Sequence, residues 1–185
     1  MAAISGTGTS LSSTYYLRNF YTANRDARTS SKRKEMTSGT LSQADATALH
    51  RAAKKLRTFN YDDDTTDSAN IYGSLTAFIQ TYNNTLSSGN TSDDSSLNRY
   101  SKYLKSLSKE HSDDLSKIGI TVNSDGSLTA NDNLLKSAKV SKVKTLFSDD
   151  AEYITKVNRY SKKMAEKADS VVMSEVLGSR IDLSL

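Results

Sequence analysis

The sequence predicts a mainly α-helical protein, an elongated antiparallel helical bundle or coiled coil that carries one small β-hairpin. The chain has 185 residues and no proline, the residue that most strongly breaks helices, so long helices are possible throughout. Apolar residues recur every three or four positions through several segments, which is the period of a helix with one buried face. The turn signal Asn123-Ser124-Asp125-Gly126 has β-compatible neighbours and predicts a hairpin near residues 118–130.

The chain is long enough for one packed helical domain, which we place at residues 39–178. Residues 1–38 are predicted to form a flexible leader, because the first 25 residues contain no acidic residue and many Ser and Thr. Residues 179–185 are predicted to form a C-terminal tail. The leader holds an aromatic cluster that we expect to dock on its own chain or on a partner. This cluster comprises Tyr15, Tyr16, Leu17, Phe20 and Tyr21.

The first long helix is predicted to begin at Leu41. Ser38, Thr40 and Ser42 are the candidate caps, since hydroxyl side chains accept hydrogen bonds from the free N–H groups of a first turn. Asp45 follows Ser42 by three residues, which is the spacing of a capping box with Asp in place of Glu or Gln. The sequence therefore assigns Asp45 to the helix start.

Three further long helices are predicted from their apolar stripes. The second ends at Gly89, the third starts at Ser92-Asp93-Asp94, and the last runs from Ser148-Asp149-Asp150 to Gly178. His111 continues the third stripe and is predicted to be a satisfied core residue. We expect the stripes to form a packed seam or an interaction surface. They consist of Ile71, Leu75, Phe78, Tyr82, Leu97, Tyr100, Leu104, Leu107, Ile154, Val157, Met164 and Val171.

The hairpin segment and its surroundings carry a family resemblance. Leu115-Ser116-Lys117-Ile118-Gly119-Ile120-Thr121 is followed by Asp125-Gly126-Ser127-Leu128-Thr129 and then by Leu146-Phe147. Upstream stands Phe78-Ile79-Gln80-Thr81-Tyr82-Asn83. In this order and spacing, the motifs resemble the C-terminal helical region of flagellar filament-capping, hook-associated proteins, over about residues 71–175. The marker positions in the hairpin are Ile118, Gly119, Ile120, Thr121, Asp125, Gly126 and Leu128.

This resemblance implies a non-enzymatic structural or assembly protein, a short relative that lacks the globular inserts of the family. It implies partners that are proteins, either flagellar axial subunits or a second copy of this chain. It also implies export by a route that needs no signal peptide, and a location outside the cell or on the flagellum. A cytoplasmic helical adaptor is the alternative.

The same hairpin can be interpreted as a calcium loop spanning residues 121–132. Thr121, Asn123, Asp125, Ser127, Thr129 and Asp132 fall at the ligand spacing of an EF-hand, with Gly126 at the turn position. The first ligand position lacks the usual carboxylate, and Asp132 stands where a bidentate glutamate is usual. A calcium-binding interaction module therefore remains a second alternative.

Composition argues against several classes of function. The chain has no cysteine and two histidines, His50 and His111, neither of which lies in a nucleophile motif, so we expect no enzyme activity, cofactor or metal. Residues 1–60 contain ten Lys or Arg against three Asp or Glu. Their tightest basic cluster is Lys32-Arg33-Lys34, without a nucleic-acid reader motif, so we do not expect nucleic-acid binding. No apolar run has the length of a membrane span.

Overall fold

The computed structural model describes residues 11–62 and 66–182, and among these the side chains of residues 66–69 and 179–182 are left out of the description. The prediction of a mainly helical fold with one small hairpin is confirmed. In chain order the elements are α1 Ser13–Phe20, a 3₁₀ turn Asp26–Arg28, α2 Ser30–Arg33, α3 Ser38–Arg57, α4 Thr66–Asn90, α5 Ser95–Glu110, α6 Ser112–Ser116, β1 Ile120–Val122, β2 Leu128–Ala130, α7 Asp132–Ser137, α8 Val140–Phe147 and α9 Glu152–Asp182.

Four long helices, α3, α4, α5 and α9, form an antiparallel arrangement in which each packs against two of the others. The start of α3 bonds to the end of α4 through Ser42 and Ser88, whereas its end forms an ion pair with Asp149, just before α9. The start of α5 pairs with α9 through Asp94 and Lys167, at 3.4 Å. Each apolar stripe is therefore covered by neighbouring helices of the same chain.

The leader prediction needs correction for residues 11–37, which form ordered helical structure against the bundle. In α1, the Ser12 side chain accepts from the N–H of Tyr15 and caps the helix. Tyr16, Phe20 and Tyr21 are buried in the main core, so the aromatic cluster docks on its own chain. The Ser-rich and Thr-rich composition suggested flexibility, but these residues act here as caps and turns. Residues 1–10 of the predicted leader lie outside the described residues.

The start of α3 and the end of α9 also differ from the prediction. Thr37 caps α3 by accepting from the N–H of Thr40, and the helix begins at Ser38 rather than Leu41. Helix α9 continues past Gly178 to Asp182, because Gly178 does not adopt the positive φ that ends a helix. The predicted tail is thus helical through residue 182, and residues 183–185 lie outside the described residues.

The predicted hairpin is present. Strands β1 and β2 pair antiparallel, with Ile120 opposite Ala130 and Val122 opposite Leu128. The Asn123 N–H donates to the Ser127 carbonyl at 2.8 Å and closes the turn. Gly126 has φ +86°, a conformation that side chains with a Cβ rarely adopt, which explains the glycine at this position.

Candidate interaction surfaces

The residues predicted to form a seam lie almost entirely inside the molecule. Ten of them are at most 3% exposed, and Tyr100 and Val171 are half-buried. The ten are Ile71, Leu75, Phe78, Tyr82, Leu97, Leu104, Leu107, Ile154, Val157 and Met164. Helices α4, α5 and α9 use these side chains to pack on each other and on α3. A partner could reach them only if the bundle opened, so a docking surface has to be sought elsewhere.

The hairpin is bound to the bundle by the upstream motif. Asn83, at the end of Phe78–Asn83, donates from Nδ2 to the Leu128 carbonyl and accepts from the Leu128 N–H, both at 2.8 Å. Ile118, Ile120 and Leu128 are buried, whereas Thr121 and Asp125 are exposed. The two sequence motifs that carry the family resemblance are therefore in direct contact. The hairpin forms the turn between α6 and α7 and contacts α4 through β2.

The polar groups of the 121–132 loop bond mainly to one another. Asp125 Oδ1 accepts from the N–H and the hydroxyl of Ser127, and Asn123 Nδ2 donates to the hydroxyls of Ser127 and Thr129. These bonds hold the pKa of Asp125 below its usual range, with the Ser127 hydroxyl as the largest cause. Within residues 11–62 and 66–182, no group of three or more His, Cys, Asp or Glu side chains is placed to hold a metal ion. The geometry is that of a turn whose polar groups are hydrogen-bonded within the turn itself.

A buried polar network fastens the N-terminal helices to the bundle. The Asp45 side chain has no exposed surface and accepts two hydrogen bonds from the Arg33 guanidinium, at 2.7 and 2.8 Å. The Tyr21 hydroxyl also donates to Asp45, at 2.8 Å, and accepts from Asn84 Nδ2 on α4. Arg33 donates further to the Ala27 carbonyl. Asp45 is therefore an internal anchor, and the capping-box prediction for it is wrong.

Burial and charge change the titration of this network. Burial, together with the nearby Asp45 carboxylate, raises the pKa of Tyr21 far above its ordinary value. The hydrogen bond to Asp45 raises the pKa of Arg33 despite its partial burial. Both shifts favour the arrangement seen, a neutral phenol and a charged guanidinium around one carboxylate.

His111 lines a cavity of about 410 Å³ at the corner where α5 and α6 meet α8 and α9. Its ring lies edge-on to Tyr153, with 5.3 Å between the ring centroids. Its Nε2 atom is buried and has no hydrogen-bond partner among the described residues, so the prediction of a satisfied core histidine is wrong. Of the charged groups around the cavity, Asp114 pairs with Lys117 at 2.7 Å and Glu152 pairs with Lys156 at 2.5 Å.

The C-terminal end of α9 carries exposed apolar side chains. Met173 is 66% exposed and Leu177 is 59% exposed. Between them, Glu175 holds α9 to the start of α3, accepting from the Thr37 hydroxyl at 2.6 Å and from the Gly39 N–H at 2.9 Å. The carboxylate thus lies at the positive end of the α3 dipole. Helix α9 is fixed on one side and apolar on another.

A second exposed surface lies along α1. A cavity of about 360 Å³ is lined by three exposed arginines, Arg18, Arg25 and Arg28, together with Asn19 and Thr22. Asn19 also lines a neighbouring cavity of about 400 Å³. The second cavity is bordered by Leu11, Tyr15, Tyr16, Asn19, Phe20, Arg51, Lys55 and Asn70. Sequence reasoning missed this surface, because it required α1 to fold against α3.

Comparison with known proteins gives no relative. No family model, curated protein or solved structure matches this chain. None of the described helices has both the length and the apolar character needed to span a membrane.

Proposed function

We propose that this chain is a non-enzymatic assembly protein that associates with a second copy of itself through the exposed end of α9. The observation that carries the proposal is the exposure of Met173 and Leu177 on a helix that Glu175 holds in place. Covering such exposed apolar side chains with another apolar surface lowers the free energy, which favours association. Because Glu175 already fixes the helix, binding costs little conformational entropy.

The occupant is a second copy because the contact requires a helix with a matching apolar face. At 100° per residue, the exposed side chains of Met173, Val176 and Leu177 fall within one 100° arc of α9, the geometry by which helices pack in pairs. The α9 end of a second chain supplies the same face, so a two-fold contact closes on itself. Two or three side chains per partner bury far less than the roughly 800 Å² per partner of a stable interface. Association through this surface alone is therefore weak and concentration-dependent.

Sedimentation velocity across protein concentrations from micromolar to millimolar tests this proposal. The unmodified chain is expected to dimerise progressively, and the variant Met173→Glu with Leu177→Glu to stay monomeric, because each carboxylate would be buried at the contact. Ser106→Glu with Ser124→Glu is the matched control, adding the same charge at exposed positions away from α9. A monomeric wild type at every concentration, or equal loss of dimer in the control, contradicts the proposal.

The proposed setting is the flagellum, with export by a route that needs no signal peptide. This part rests on the order of the sequence motifs, and the contact between Asn83 and Leu128 supports treating them as one unit. The test is to assay culture medium and sheared flagella, in cells with and without a working flagellar export apparatus. Retention in the cytoplasm of a motile cell contradicts the flagellar setting and favours the cytoplasmic adaptor.

A further inference from the structure

The arginine-lined cavity beside α1 has no internal counter-charge. Arg18, Arg25 and Arg28 form no ion pair with any residue the structure describes, and no carboxylate lines the cavity. Guanidinium groups present planar forks that bind carboxylates or phosphates through two hydrogen bonds each. Three of them around one cavity repel each other unless an anion lies between them.

A fourth arginine holds the chain segment that borders this cavity. Arg51, on α3, donates to the Phe20 carbonyl at 3.2 Å and to the Thr22 hydroxyl at 2.6 Å. The Thr22 hydroxyl in turn donates to the Asn19 carbonyl at 2.9 Å. These bonds fix the segment that follows α1 and so hold the arginines of α1 and of the 3₁₀ turn on a common support. The binding surface is thus largely formed before any ligand arrives.

The neighbouring cavity gives this surface a different character at its other end. Tyr15 is 46% exposed and stands edge-on to Tyr16, with 5.5 Å between the ring centroids. Since Asn19 lines both cavities, the two adjoin and together form a groove: arginines line one end, and aromatic rings with Arg51 and Lys55 border the other. A simple anion would fill only the arginine end. A ligand that fits the whole groove has an apolar group beside several negative charges.

The charge around the groove points to an acidic partner. Of the three acidic residues in the first 60, Asp45 is buried against Arg33, Glu35 pairs with Lys32 at 2.9 Å, and Asp26 is exposed in the 3₁₀ turn. The basic residues that line the two cavities outnumber Asp26, so the potential there is positive, which attracts acidic segments and speeds their association.

We propose that this groove binds an acidic segment of a partner protein, with one apolar side chain against Tyr15 and the following carboxylates on Arg18, Arg25 and Arg28. A peptide is favoured over nucleic acid because only one ring here, Tyr15, is exposed, whereas Tyr16 and Phe20 are buried. Binding of a single strand usually stacks successive bases on several exposed rings. This surface is separate from the end of α9, so either proposal can fail without the other.

The test uses the full chain, labelled with ¹⁵N, and the synthetic peptide acetyl-Leu-Glu-Glu-Asp-Glu-Glu-amide. Saturable shifts are expected at the amides of α1 and the 3₁₀ turn. The uncharged peptide acetyl-Leu-Gln-Gln-Asn-Gln-Gln-amide is expected to bind at least tenfold more weakly. The absence of shifts with millimolar acidic peptide, or shifts confined to other elements, overturns the proposal.

Variants separate the groove from general positive charge. Arg18→Ala, Arg25→Ala and Arg28→Ala together are expected to weaken binding of the acidic peptide at least tenfold. Lys102→Ala, Lys109→Ala and Lys163→Ala remove the same charge from exposed positions on α5 and α9, and binding should stay within twofold. Arg18→Ala alone, a milder change at an exposed position, is expected to cost about threefold. Equal weakening in the lysine variant overturns the proposal.

Two further arms identify the kind of ligand. Tyr15→Ser is expected to weaken the Leu-bearing peptide but not the same peptide with Ser in place of Leu, since only the former uses the aromatic end. A thymidine hexanucleotide carries a similar charge and is expected to bind more weakly than the acidic peptide. Tighter binding of the oligonucleotide at the same amides would identify a nucleic-acid groove and overturn the peptide proposal.

Discussion

Asp45 shows how one side chain can hold an entire segment. Its carboxylate is bonded by Arg33 and Tyr21, whose positions in the chain are 12 and 24 residues away. The sequence offered a local interpretation of Asp45, three residues after Ser42, and contained nothing to pair it with Arg33. Buried carboxylates persist where charge and hydrogen bonds compensate their lost hydration, and such partners are set by tertiary packing.

We expect Asp45→Asn to destabilise the protein by about 3 kcal/mol, because Arg33 would keep its charge in a mostly buried place without a counter-ion. Urea denaturation followed by circular dichroism measures the change. Glu35→Gln is the control, since it breaks an ion pair whose side chains are more than half exposed, and it should leave the midpoint unchanged. An unchanged midpoint for Asp45→Asn would contradict the anchoring role.

The buried tyrosines make stability depend on alkaline pH. Burial raises the pKa of Tyr21, Tyr82 and Tyr153 above the ordinary value of 10.0. Below about pH 10 both folded and unfolded chains keep these protons. Above it the unfolded chain releases them while the folded chain holds them, so the free energy of unfolding falls as pH rises.

Phenolate absorbance and circular dichroism, recorded together from pH 9 to 12.5, test this linkage. Tyr21, Tyr82 and Tyr153 should release their protons only as the helical signal is lost. If the phenolate absorbance of all ten tyrosines develops while the helical signal is intact, the linkage is contradicted.

Helix ends divide into those with local and those with distant causes. Asp94 was predicted near a helix start, and the Asp94 and Asn131 side chains both accept N–H bonds from within the next three residues. For Asp94 burial opposes ionisation, yet the N–H groups of Leu97 and Ser96 and the Lys167 ammonium together lower its pKa. The start of α3 has the local cap Thr37 and, in addition, a distant acceptor, Glu175, at a separation of 138 residues from Thr37. Sequence patterns can predict local caps of this type, but they cannot predict a contact between residues so far apart in the chain.

Removing the distant contact should loosen one specific amide. In Glu175→Ala, the Gly39 N–H loses its acceptor near the start of α3, where N–H groups have no partner within the helix. We expect faster hydrogen exchange at Gly39 and a loss of about 1 kcal/mol in stability. Glu166→Ala, at an exposed position on the same helix, should leave Gly39 exchange unchanged. Unchanged exchange in Glu175→Ala would show that the contact contributes nothing in solution.

For the whole molecule, the periodic stripes predicted the helices and the Asn123–Gly126 signal predicted the hairpin. They did not predict which helices pair. An apolar stripe indicates that one face of a helix is covered, but it does not identify the helix that covers it. For the same reason, an apolar stripe alone does not distinguish a face buried in the core from a face that binds a partner. Phe78 and Leu104 were compatible with either, and both turn out to be fully buried. The candidate surfaces, by contrast, depend on where α1 and the end of α9 lie in the folded chain.

Calcium is expected to leave the thermal midpoint unchanged. A ligand that binds only the folded state raises the midpoint, and Asp125, one of two exposed carboxylates in the loop, is bonded to Ser127. Melting curves in millimolar calcium and in excess chelator measure this. A rise of several degrees with calcium, absent with magnesium, would restore the calcium-loop interpretation.

The packing of α9 against both α3 and α5 sets when this chain can fold during synthesis. One core cluster joins Ala46 and Leu97 to Met164 and Ala168, which the ribosome adds more than a hundred residues after Ala46. At about 5–20 residues per second, the apolar face of α3 waits on the order of ten seconds for its cover. Throughout that time the apolar stripes of the growing chain are exposed. A chaperone, or an export apparatus that needs an unfolded substrate, can bind the chain during this interval.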